Sequence, residues 1–519
     1  MARIICILYL LLTGILSRAQ IMPAERSSLN YRLVGFSFPC ADQGAGCSIE
    51  IARGSFDTAS QFDKNIVLKQ ECSSGKAIIE VPAFGCEYTW RTVFARRQDT
   101  VKSGLFHFSV TGSISADTSN SRVRVVKNTG EYKDNYFFVD ATSTLYDMDG
   151  NPVWYLHHKN ETVRDLKVSQ QGTITCEIAE NAIEVNYNGD TLWHGPEKVT
   201  VSGDTSEHYH HEFTRLANGH YMVFGQEHVA WRLPFYKRDP ASKVYQHNIY
   251  KDSCGDYYEK LHFATLIEYN ERGDVVWHWK SSEFFSTTSL YTTTAADGSF
   301  KVNDVHQNSF FFDEQRNVIY ISCRDLSTIL KVKYPEGTVL ETYGPMCKAN
   351  AGDGEKMLFN GQHSCKLSKD GYIYLYNNNS CQRNDTPSIV VLKEPGSRHR
   401  GLQKAWEYKC ADETLDVFTP MSFVAREKSV PGLSTLTSGG NVMELPDGSL
   451  FVSMGEPFGK LFIVDKEKNV HWRATLEARD DKKKTWTRLQ TYRATIISRS
   501  QLEQLIWNTQ CVEKKHPML

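Results

Sequence analysis

The stretch from Asp304 to Arg324, DVHQNSFFFDEQRNVIYISCR, contains the pattern that decides the fold. Residues 306–312 read as one strand, residues 313–317 as a polar turn and residues 318–323 as a second strand. The reason is that alternating, β-branched and aromatic residues flank a cluster of turn formers. The pattern therefore predicts a β-hairpin.

Three polar residues are expected at the open end of this hairpin. A turn centred on residue 315 makes His306 face Arg324 across the antiparallel ladder. Side chains alternate along a strand, so Asn308 should point to the same face as His306. An imidazole, an amide and a guanidinium together can bind a tetrahedral oxyanion. A polar network at a strand end, without a ligand, is the alternative interpretation.

Related hairpins recur along the chain from about residue 130. An inner hairpin with a Gly- or Asn-containing turn is followed by an outer hairpin whose turn often leads to tryptophan, as in EYNERGDVVWHW ending at Trp279. The pair makes a four-stranded antiparallel sheet, and repeated sheets of this kind are typical of a β-propeller. Six repeats fall near residues 136–156, 165–195, 211–279, 306–344, 362–410 and 439–475.

We therefore predict an all-β chain with a six-bladed β-propeller as its catalytic domain at residues 129–500. The segment around Tyr492 should complete the first blade and close the ring. Short alternating runs predict a small N-terminal β-sandwich at residues 20–128, and residues 501–519 are expected to form a C-terminal tail. Two stacked sandwiches are the alternative architecture, but they do not predict repeated hairpins.

The first 19 residues read as a secretory signal peptide, with one basic residue, an apolar run and a small-residue site. The mature chain is expected to be secreted. Removal of Cys6 leaves 12 of the 13 cysteines, an even number that favours disulfide bonds in an oxidising compartment. Sequons at Asn160, Asn378 and Asn384 are consistent with a glycoprotein.

The charge balance bears on the class of partner. The 59 Lys and Arg residues nearly match the 61 Asp and Glu residues, so neither nucleic acid nor a membrane surface is predicted as a partner. No apolar run after the signal peptide is long enough for a transmembrane helix. Oligomeric state is left open.

Three successive repeats begin their innermost strand with a histidine: His211, His306 and His363. Such starts lie near the axis of a propeller, so the three imidazoles should converge. His210 adjoins His211, and the sequence does not decide which of the two enters the site. Three histidines can hold zinc, but Arg324 would repel a cation, and Glu212 is expected to point away from His211. Arginine with neutral histidines instead suits transfer of an anionic group to an imidazole, without a cofactor.

The motifs also resemble a known family. DVHQNS followed by SCR, FNGQHSCKLSKDGYIYLYNNN, HHEFTRLANGHYMV and NVMELPDGSLFVSMGEPFGKLFIVD are similar to motifs of the arylsulfotransferases, over roughly residues 135–500. The resemblance implies a six-bladed propeller that moves a sulfuryl group from a phenolic sulfate ester to a phenol, without a nucleotide donor.

The resemblance also implies a role for each site residue. His363 would be the nucleophile that becomes transiently sulfated, and His306 and Arg324 would hold the sulfuryl oxygens and the phenolic oxygen. Asn308 would donate a hydrogen bond beside them, and His211 matches the remaining family histidine. The family's Asp-Asn-Gly step reads Asn377-Asn378-Asn379 here, which makes Asn378 a potential glycan site near the pocket. A non-catalytic extracellular propeller that binds aryl sulfates or other anions, and a metal-dependent hydrolase, are the alternatives.

Overall fold

The computed structural model of this chain describes most of the sequence, with gaps. The described residues are 21–39, 46–72, 74–95, 99–158, 161–198, 201–203, 205–233, 249–285, 290–293, 300–302, 305–344, 357–379, 386–396, 401–410 and 438–511. The predicted signal peptide and the sequons at Asn160 and Asn384 lie outside these residues. The described part of the chain is nearly all β, as the sequence predicts.

The chain divides into two compact units. The first contains the described residues up to Ala116, together with Val153–His157 and the residues from Glu503 onward; the second contains Asp117–Pro152 and His158–Leu502. This division differs from the predicted boundary at residue 128, because the strand Ser121–Asn128 pairs with the strand Val470–Asp480 of the second unit.

The first unit contains two sheets. A six-stranded sheet has the order Ser27–Leu29, Phe106–Val110, Cys86–Ala95, Cys47–Arg53 and Ile66–Cys72, with Thr100–Lys102 on Cys86–Ala95. Leu33–Ser37 and Lys76–Glu80 form a two-stranded sheet, and the strand Pro152–Tyr155 lies almost wholly in this unit. Thr58 caps the short helix Ala59–Lys64. Phe36 packs edge-on against Trp90, with ring centroids 5.0 Å apart, so side chains of the two sheets share a core.

The second unit contains six larger antiparallel sheets and one two-stranded antiparallel sheet among the described residues. Sheet 1 comprises Asn135–Val139, Thr144–Asp147 and Ala494–Ser498; sheet 2 comprises Val163–Val168, Ile174–Ile178, Asn181–Val185 and Thr191–His194. Sheet 3 comprises Tyr209–Arg215, Tyr221–Arg232, Tyr257–Tyr269 and Val275–Lys280, with the short strand Ile249–Lys251.

The other three sheets follow in chain order. Sheet 4 comprises Gln307–Asp313, Val318–Cys323, Thr328–Lys333 and Val339–Tyr343; sheet 5 comprises His363–Leu367, Ile373–Asn377, Ser388–Lys393 and Gln403–Lys409. Sheet 6 comprises Asn441–Glu444, Leu450–Met454, Lys460–Val464, Val470–Asp480 and Thr485–Arg488, with Ser121–Asn128 added. A helical turn, Ser281–Phe284, and a hairpin of Tyr291–Thr293 and Phe300–Val302 lie between sheets 3 and 4 in the chain.

Successive sheets of the second unit share apolar cores. Sheets 2 and 3 pack through a cluster that includes Trp193 and Tyr221, with ring centroids 3.9 Å apart. Further clusters join sheet 3 to 4, sheet 4 to 5, sheet 5 to 6 and sheet 6 to 1. Sheet 1 meets sheet 2 through Asp140, whose carboxylate accepts the backbone N–H groups of Asp165 and Leu166 at 3.0 and 3.2 Å. Burial of these apolar faces is the main term that holds the sheets together.

The two ends of the second unit pair with each other. The strand Asn135–Val139 is hydrogen-bonded to Ala494–Ser498, so the segment that follows Tyr492 joins sheet 1, as the sequence predicts. The preceding part of that segment, Thr485–Arg488, belongs instead to sheet 6. Beyond Ser498 the chain forms an α-helix, Arg499–Cys511, where a tail was expected. None of the described helices is long and apolar enough to cross a membrane.

Candidate active site

A recurring irregularity shapes the inner strands of the second unit. The first strands of sheets 2, 3, 4 and 5 each shift register against the second strand, between residues 164 and 167, 209 and 213, 307 and 309, and 363 and 366. Within or beside these bulges, four non-glycine residues have positive φ: Asp165 at 56°, His211 at 69°, His306 at 48° and Ser364 at 54°. A bulge bends its strand and redirects a side chain. The same bulge with a positive-φ residue recurs at the start of four first strands. Backbone strain of this kind is concentrated at active sites and ligand-binding sites, so these strand starts are candidates for a functional region.

The structure brings the predicted histidines together. The rings of His211 and His306 lie 5.1 Å apart, centroid to centroid. The ring of Tyr492 connects the group, with its centroid 5.8 Å from that of His211 and 6.2 Å from that of His363. His211 and His363 lie in the first strands of sheets 3 and 5, and His306 directly precedes the first strand of sheet 4, so residues about 150 positions apart in sequence form one cluster.

Arg324 lies at the open end of the sheet 4 hairpin, opposite His306. Its backbone N–H donates to the His306 carbonyl at 3.0 Å, which is the predicted register. The side chain is 10% exposed, and its Nε has no hydrogen-bond partner among the described residues. Its nearest carboxylate is that of Asp325, 3.6 Å away. The guanidinium therefore retains donors for a ligand.

His363 is held by hydrogen bonds to both ring nitrogens. Nδ1 lies 2.6 Å from Oδ1 of Asn378, and Nε2 accepts the backbone N–H of Gly439 at 3.1 Å. The amide oxygen can only accept, so Nδ1 carries the proton and Nε2 carries the lone pair. Nε2 is therefore the nitrogen that can act as a nucleophile.

The contacts of Asn378 bear on glycosylation. Its Nδ2 donates to the Gly439 carbonyl at 3.3 Å, and the residue is 2% exposed. A glycan on that nitrogen would have to occupy space filled by protein, so the sequence-based suggestion of a glycan at Asn378 is wrong for the folded chain. Instead, Asn378 fixes the tautomer of His363, a role for which its amide oxygen is suited.

His211, not His210, faces His306. The ring of His210 stacks on Phe224, with centroids 5.6 Å apart, and its Nδ1 lies 2.7 Å from Nδ1 of His211. His210 also hydrogen-bonds the Gly225 carbonyl. A neutral imidazole has one N–H, which His210 gives to that carbonyl, so His211 donates from Nδ1 and keeps a lone pair on Nε2.

The three site imidazoles are neutral at ordinary pH. Burial, Arg324 and His262 lower the pKa of His306 to about 3. Burial and the neighbouring Arg324 and His306 hold the pKa of His363 well below its usual value of 6.5, although the bond to Asn378 opposes them. Burial, His210 and His306 do the same to the pKa of His211. The cluster therefore combines neutral nitrogens with a guanidinium cation, which favours an anion.

Asn308 lies in the bulge of sheet 4 and is fully buried. Its Nδ2 donates to the Gln362 carbonyl at 2.7 Å, directly before His363, and its Oδ1 has no partner among the described residues. Because of the bulge, the simple alternation used to place its side chain beside His306 does not apply here. Its observed contact positions the strand that carries His363.

Sequence reasoning missed a buried ionic cluster beside the histidines. Nη1 of Arg493 donates to Asp165 at 2.7 Å and to Glu212 at 2.9 Å, and its Nη2 donates to the Asn308 carbonyl at 2.8 Å. Oε1 of Glu212 also accepts from Lys167 at 2.6 Å and from Lys366 at 2.8 Å. Glu212 therefore does turn away from the imidazole of His211, as expected, and this cluster joins sheets 1 to 5. The partners are too far apart in sequence for any local motif to reveal them.

The sequence also raised disulfide bonds and a zinc site as hypotheses. Cys86, Cys176, Cys254 and Cys365 have free thiols, and disulfide pairing of the remaining cysteines stays a prediction. Within the ranges that the structure describes, no group of three or more His, Cys, Asp and Glu side chains is arranged to hold a metal ion.

Comparisons with solved structures show only distant likenesses. A protein of unknown function from Bacteroides caccae is 13% identical, with a TM-score of 0.36, over 73% of this chain and 99% of that chain. Apo AztD from Citrobacter koseri is 7% identical, with a TM-score of 0.30, over 87% of this chain and 98% of that chain. At such TM-scores neither likeness identifies a fold or a function. No curated protein matches the sequence significantly.

The comparison with family models is informative. The arylsulfotransferase (ASST) model matches residues 244–409. This range contains His306, Asn308, Arg324 and His363, whereas His211 precedes it. The chain thus matches the arylsulfotransferase family over residues 244–409, and the match supports an aryl sulfotransferase activity in general terms.

Proposed function

We propose that the protein is a secreted aryl sulfotransferase that moves a sulfuryl group from a phenolic sulfate ester to a phenol through a sulfated His363. The observation that carries the proposal is the meeting of three neutral imidazoles with a guanidinium whose buried Nε makes no hydrogen bond to the described residues and lies 3.6 Å from the carboxylate of Asp325. A buried, unpaired donor at a site is best explained by a ligand that accepts from it. Secretion and disulfide bonds are part of the proposal, supported by the leader-like residues 1–19 and the 12 cysteines that follow them.

The proposal includes an architecture. The six sheets, their shared apolar cores and the pairing of Asn135–Val139 with Ala494–Ser498 are consistent with six blades of one closed propeller. The first strands of sheets 3 to 5, which carry His211, His363 and the segment next to His306, would then lie around its axis. The two sheets of the first unit would be the predicted N-terminal sandwich.

The first half-reaction transfers the sulfuryl group to the protein. Nε2 of His363 attacks sulfur, so that an N–S bond forms while the bond from sulfur to the phenolic oxygen breaks and the electron pair leaves with the phenolate. The proton stays on Nδ1 of His363, hydrogen-bonded to Asn378. The product is therefore an imidazolium that carries the sulfuryl group. Arg324 and His306 stabilise the charge that develops on the sulfuryl and phenolic oxygens.

The second half-reaction transfers the group to the acceptor. The acceptor's phenolic oxygen attacks sulfur, the N–S bond breaks, and its electron pair returns to Nε2 of His363. The phenolic proton goes to Nε2 of His211, whose lone pair is set by the chain of hydrogen bonds through His210 to Gly225, and then to the solvent, which restores the neutral imidazole. Both His363, as nucleophile, and His211, as base, must be neutral imidazoles to react. Their lowered pKa values keep them neutral.

Mass spectrometry after mixing with donor alone tests the intermediate. Purified protein mixed with 4-nitrophenyl sulfate should show one labile sulfuryl adduct on the peptide that contains His363, together with one equivalent of nitrophenolate. His363→Asn should abolish both signals. His220→Asn is the matched control, because His220 is a partly buried histidine that contacts Glu268 outside the site. Saturable binding of the ester without adduct or phenolate release would instead identify a non-catalytic anion-binding protein.

A further inference from the structure

Tyr492 lies inside the histidine cluster, although no family motif in the sequence contains it. Its ring is 5.8 Å from that of His211 and 6.2 Å from that of His363, centroid to centroid. The guanidinium carbons of Arg164 and Arg493 lie 5.5 and 5.2 Å from the centre of the same ring. The aromatic ring therefore separates two histidines of the site while it contacts two cations.

The hydroxyl of Tyr492 is buried and has no hydrogen-bond partner among the described residues. Two buried tyrosines of the second unit provide a comparison: the hydroxyl of Tyr146 donates to Thr142 at 3.1 Å, and that of Tyr221 donates to Glu184 at 2.6 Å. An unpaired buried hydroxyl destabilises the fold, because its desolvation is not compensated. Because the ring lies beside two site histidines, we infer that a ligand supplies the missing acceptor.

The surroundings keep this hydroxyl in its donor form. Burial raises the pKa of Tyr492 to about 12, and the neighbouring arginines only partly oppose that shift. At neutral pH the group is therefore a phenol with one O–H to donate. The residue as a whole is only partly buried, whereas its hydroxyl oxygen is buried and has no hydrogen-bond partner among the described residues.

We propose that Tyr492 is a further catalytic residue of this site, whose hydroxyl donates a hydrogen bond to a sulfuryl oxygen of the group carried by His363. This inference rests on the proposed sulfuryl transfer. The hydroxyl keeps its proton throughout both half-reactions, so the bonds that form and break are those at Nε2, sulfur and the phenolic oxygens. Tyr492 would offset charge on the transferred group in addition to the guanidinium of Arg324.

The variant Tyr492→Phe tests the inference, because it removes the hydroxyl and keeps the ring between His211 and His363. Both half-reactions, measured by stopped flow, should slow by on the order of 10²-fold, as expected when one preorganised donor is lost. The midpoint of thermal unfolding should not fall, since no internal hydrogen bond is lost. Tyr146→Phe is the control: it should lower the unfolding midpoint and leave the transfer rates unchanged.

A series of aryl sulfates whose leaving phenols differ in pKa identifies the oxygen that Tyr492 contacts. A donor to the sulfuryl oxygens gives the same rate deficit for every ester. A deficit that grows with the pKa of the leaving phenol would overturn the assignment in favour of the phenolic oxygen. Equal rates for Tyr492→Phe and active wild-type protein would overturn the inference altogether while leaving the proposed function intact.

Equilibrium binding separates failure of this inference from failure of the proposed function. In a His363→Asn background, which cannot form the intermediate, adding Tyr492→Phe should weaken binding of 4-nitrophenyl sulfate several-fold in calorimetry. Unchanged affinity would count against the hydrogen bond, whether or not the wild-type protein turns the ester over. A wild-type protein that binds but does not transfer would refute the catalytic part of both proposals.

Discussion

Replacing Glu177 with glutamine should stabilise the protein as the pH rises. Glu177 lies in the strand Ile174–Ile178, is 3% exposed, and has an Oε1 atom without a hydrogen-bond partner among the described residues. Burial, reinforced by the charge of Asp165, raises the pKa of this carboxyl from 4.5 to about 8, although Arg493 and Arg164 oppose the shift. Glutamine has nearly the same shape and cannot ionise.

The direction in which stability changes with pH follows from the number of protons that the folded and unfolded chains bind. Between pH 4.5 and pH 8 the unfolded chain has lost the proton of Glu177 and the folded chain retains it, so the stability of the wild-type protein falls as the pH rises through this range. Each pKa unit corresponds to about 1.4 kcal/mol. The stability gained by Glu177→Gln should therefore be near zero at pH 4, about 3 kcal/mol at pH 7 and about 5 kcal/mol at pH 9.

Urea denaturation of wild type and Glu177→Gln at these three pH values measures the effect. Glu341→Gln is the matched control, because Glu341 is an exposed residue of the strand Val339–Tyr343 and should give no pH-dependent gain. The reasoning would be refuted by a difference between Glu177→Gln and wild type that is the same at pH 4 and at pH 9. Such a result would mean that Glu177 ionises in the folded chain as it does in the unfolded one.

Three further predictions concern the site and the ionic cluster. Arg324→Lys keeps the charge but loses the planar fork of donors, and kcat/KM for aryl sulfates should fall on the order of 10²-fold in a phenolate-release assay. The kcat/KM at pH 5 should stay within about twofold of its value at pH 7, because the lowered pKa of His363 keeps the imidazole neutral. With a histidine of ordinary pKa, kcat/KM would fall about 25-fold over the same range. Glu212→Gln removes the carboxylate that the buried Arg493 shares with the partly buried Lys167 and Lys366, so the free energy of unfolding from urea titration should fall by about 3–5 kcal/mol.

The sequence identified those features of the site that depend on local patterns. The hairpin of sheet 4 and the opposition of His306 to Arg324 follow from the alternation of residues and the length of one turn, both of which are local. The repetition of the hairpins then placed His211 and His363 at equivalent strand positions. Conversely, the bulge at Asn308 has no signal in the alternation pattern, so the direction of that side chain was not predictable.

The remaining parts of the site depend on contacts across the whole second unit. Arg493 meets Asp165, 328 residues earlier, and no spacing rule connects such positions. Tyr492 was not predicted as a site residue for the same reason. It reaches the site because the strand that follows it pairs with Asn135–Val139, far away in the sequence. The division between predictable and unpredictable residues thus follows sequence separation rather than chemical importance.

The nucleophile of the proposed reaction is not free in the resting structure, because Nε2 of His363 accepts the N–H of Gly439. A neutral hydrogen bond of this kind contributes about 0.5–1.5 kcal/mol net, so breaking it adds little to a reaction barrier. The backbone there requires glycine: φ is 69°, and a Cβ would lie 2.7 Å from the carbonyl oxygen of Tyr492. Once sulfur bonds to Nε2, the lone pair is consumed and this N–H loses its acceptor, so Gly439 has to move aside to admit the sulfuryl group. We expect the displaced N–H to donate to a sulfuryl oxygen, so that it stabilises the transition state more than the ground state, and that difference is what accelerates a reaction.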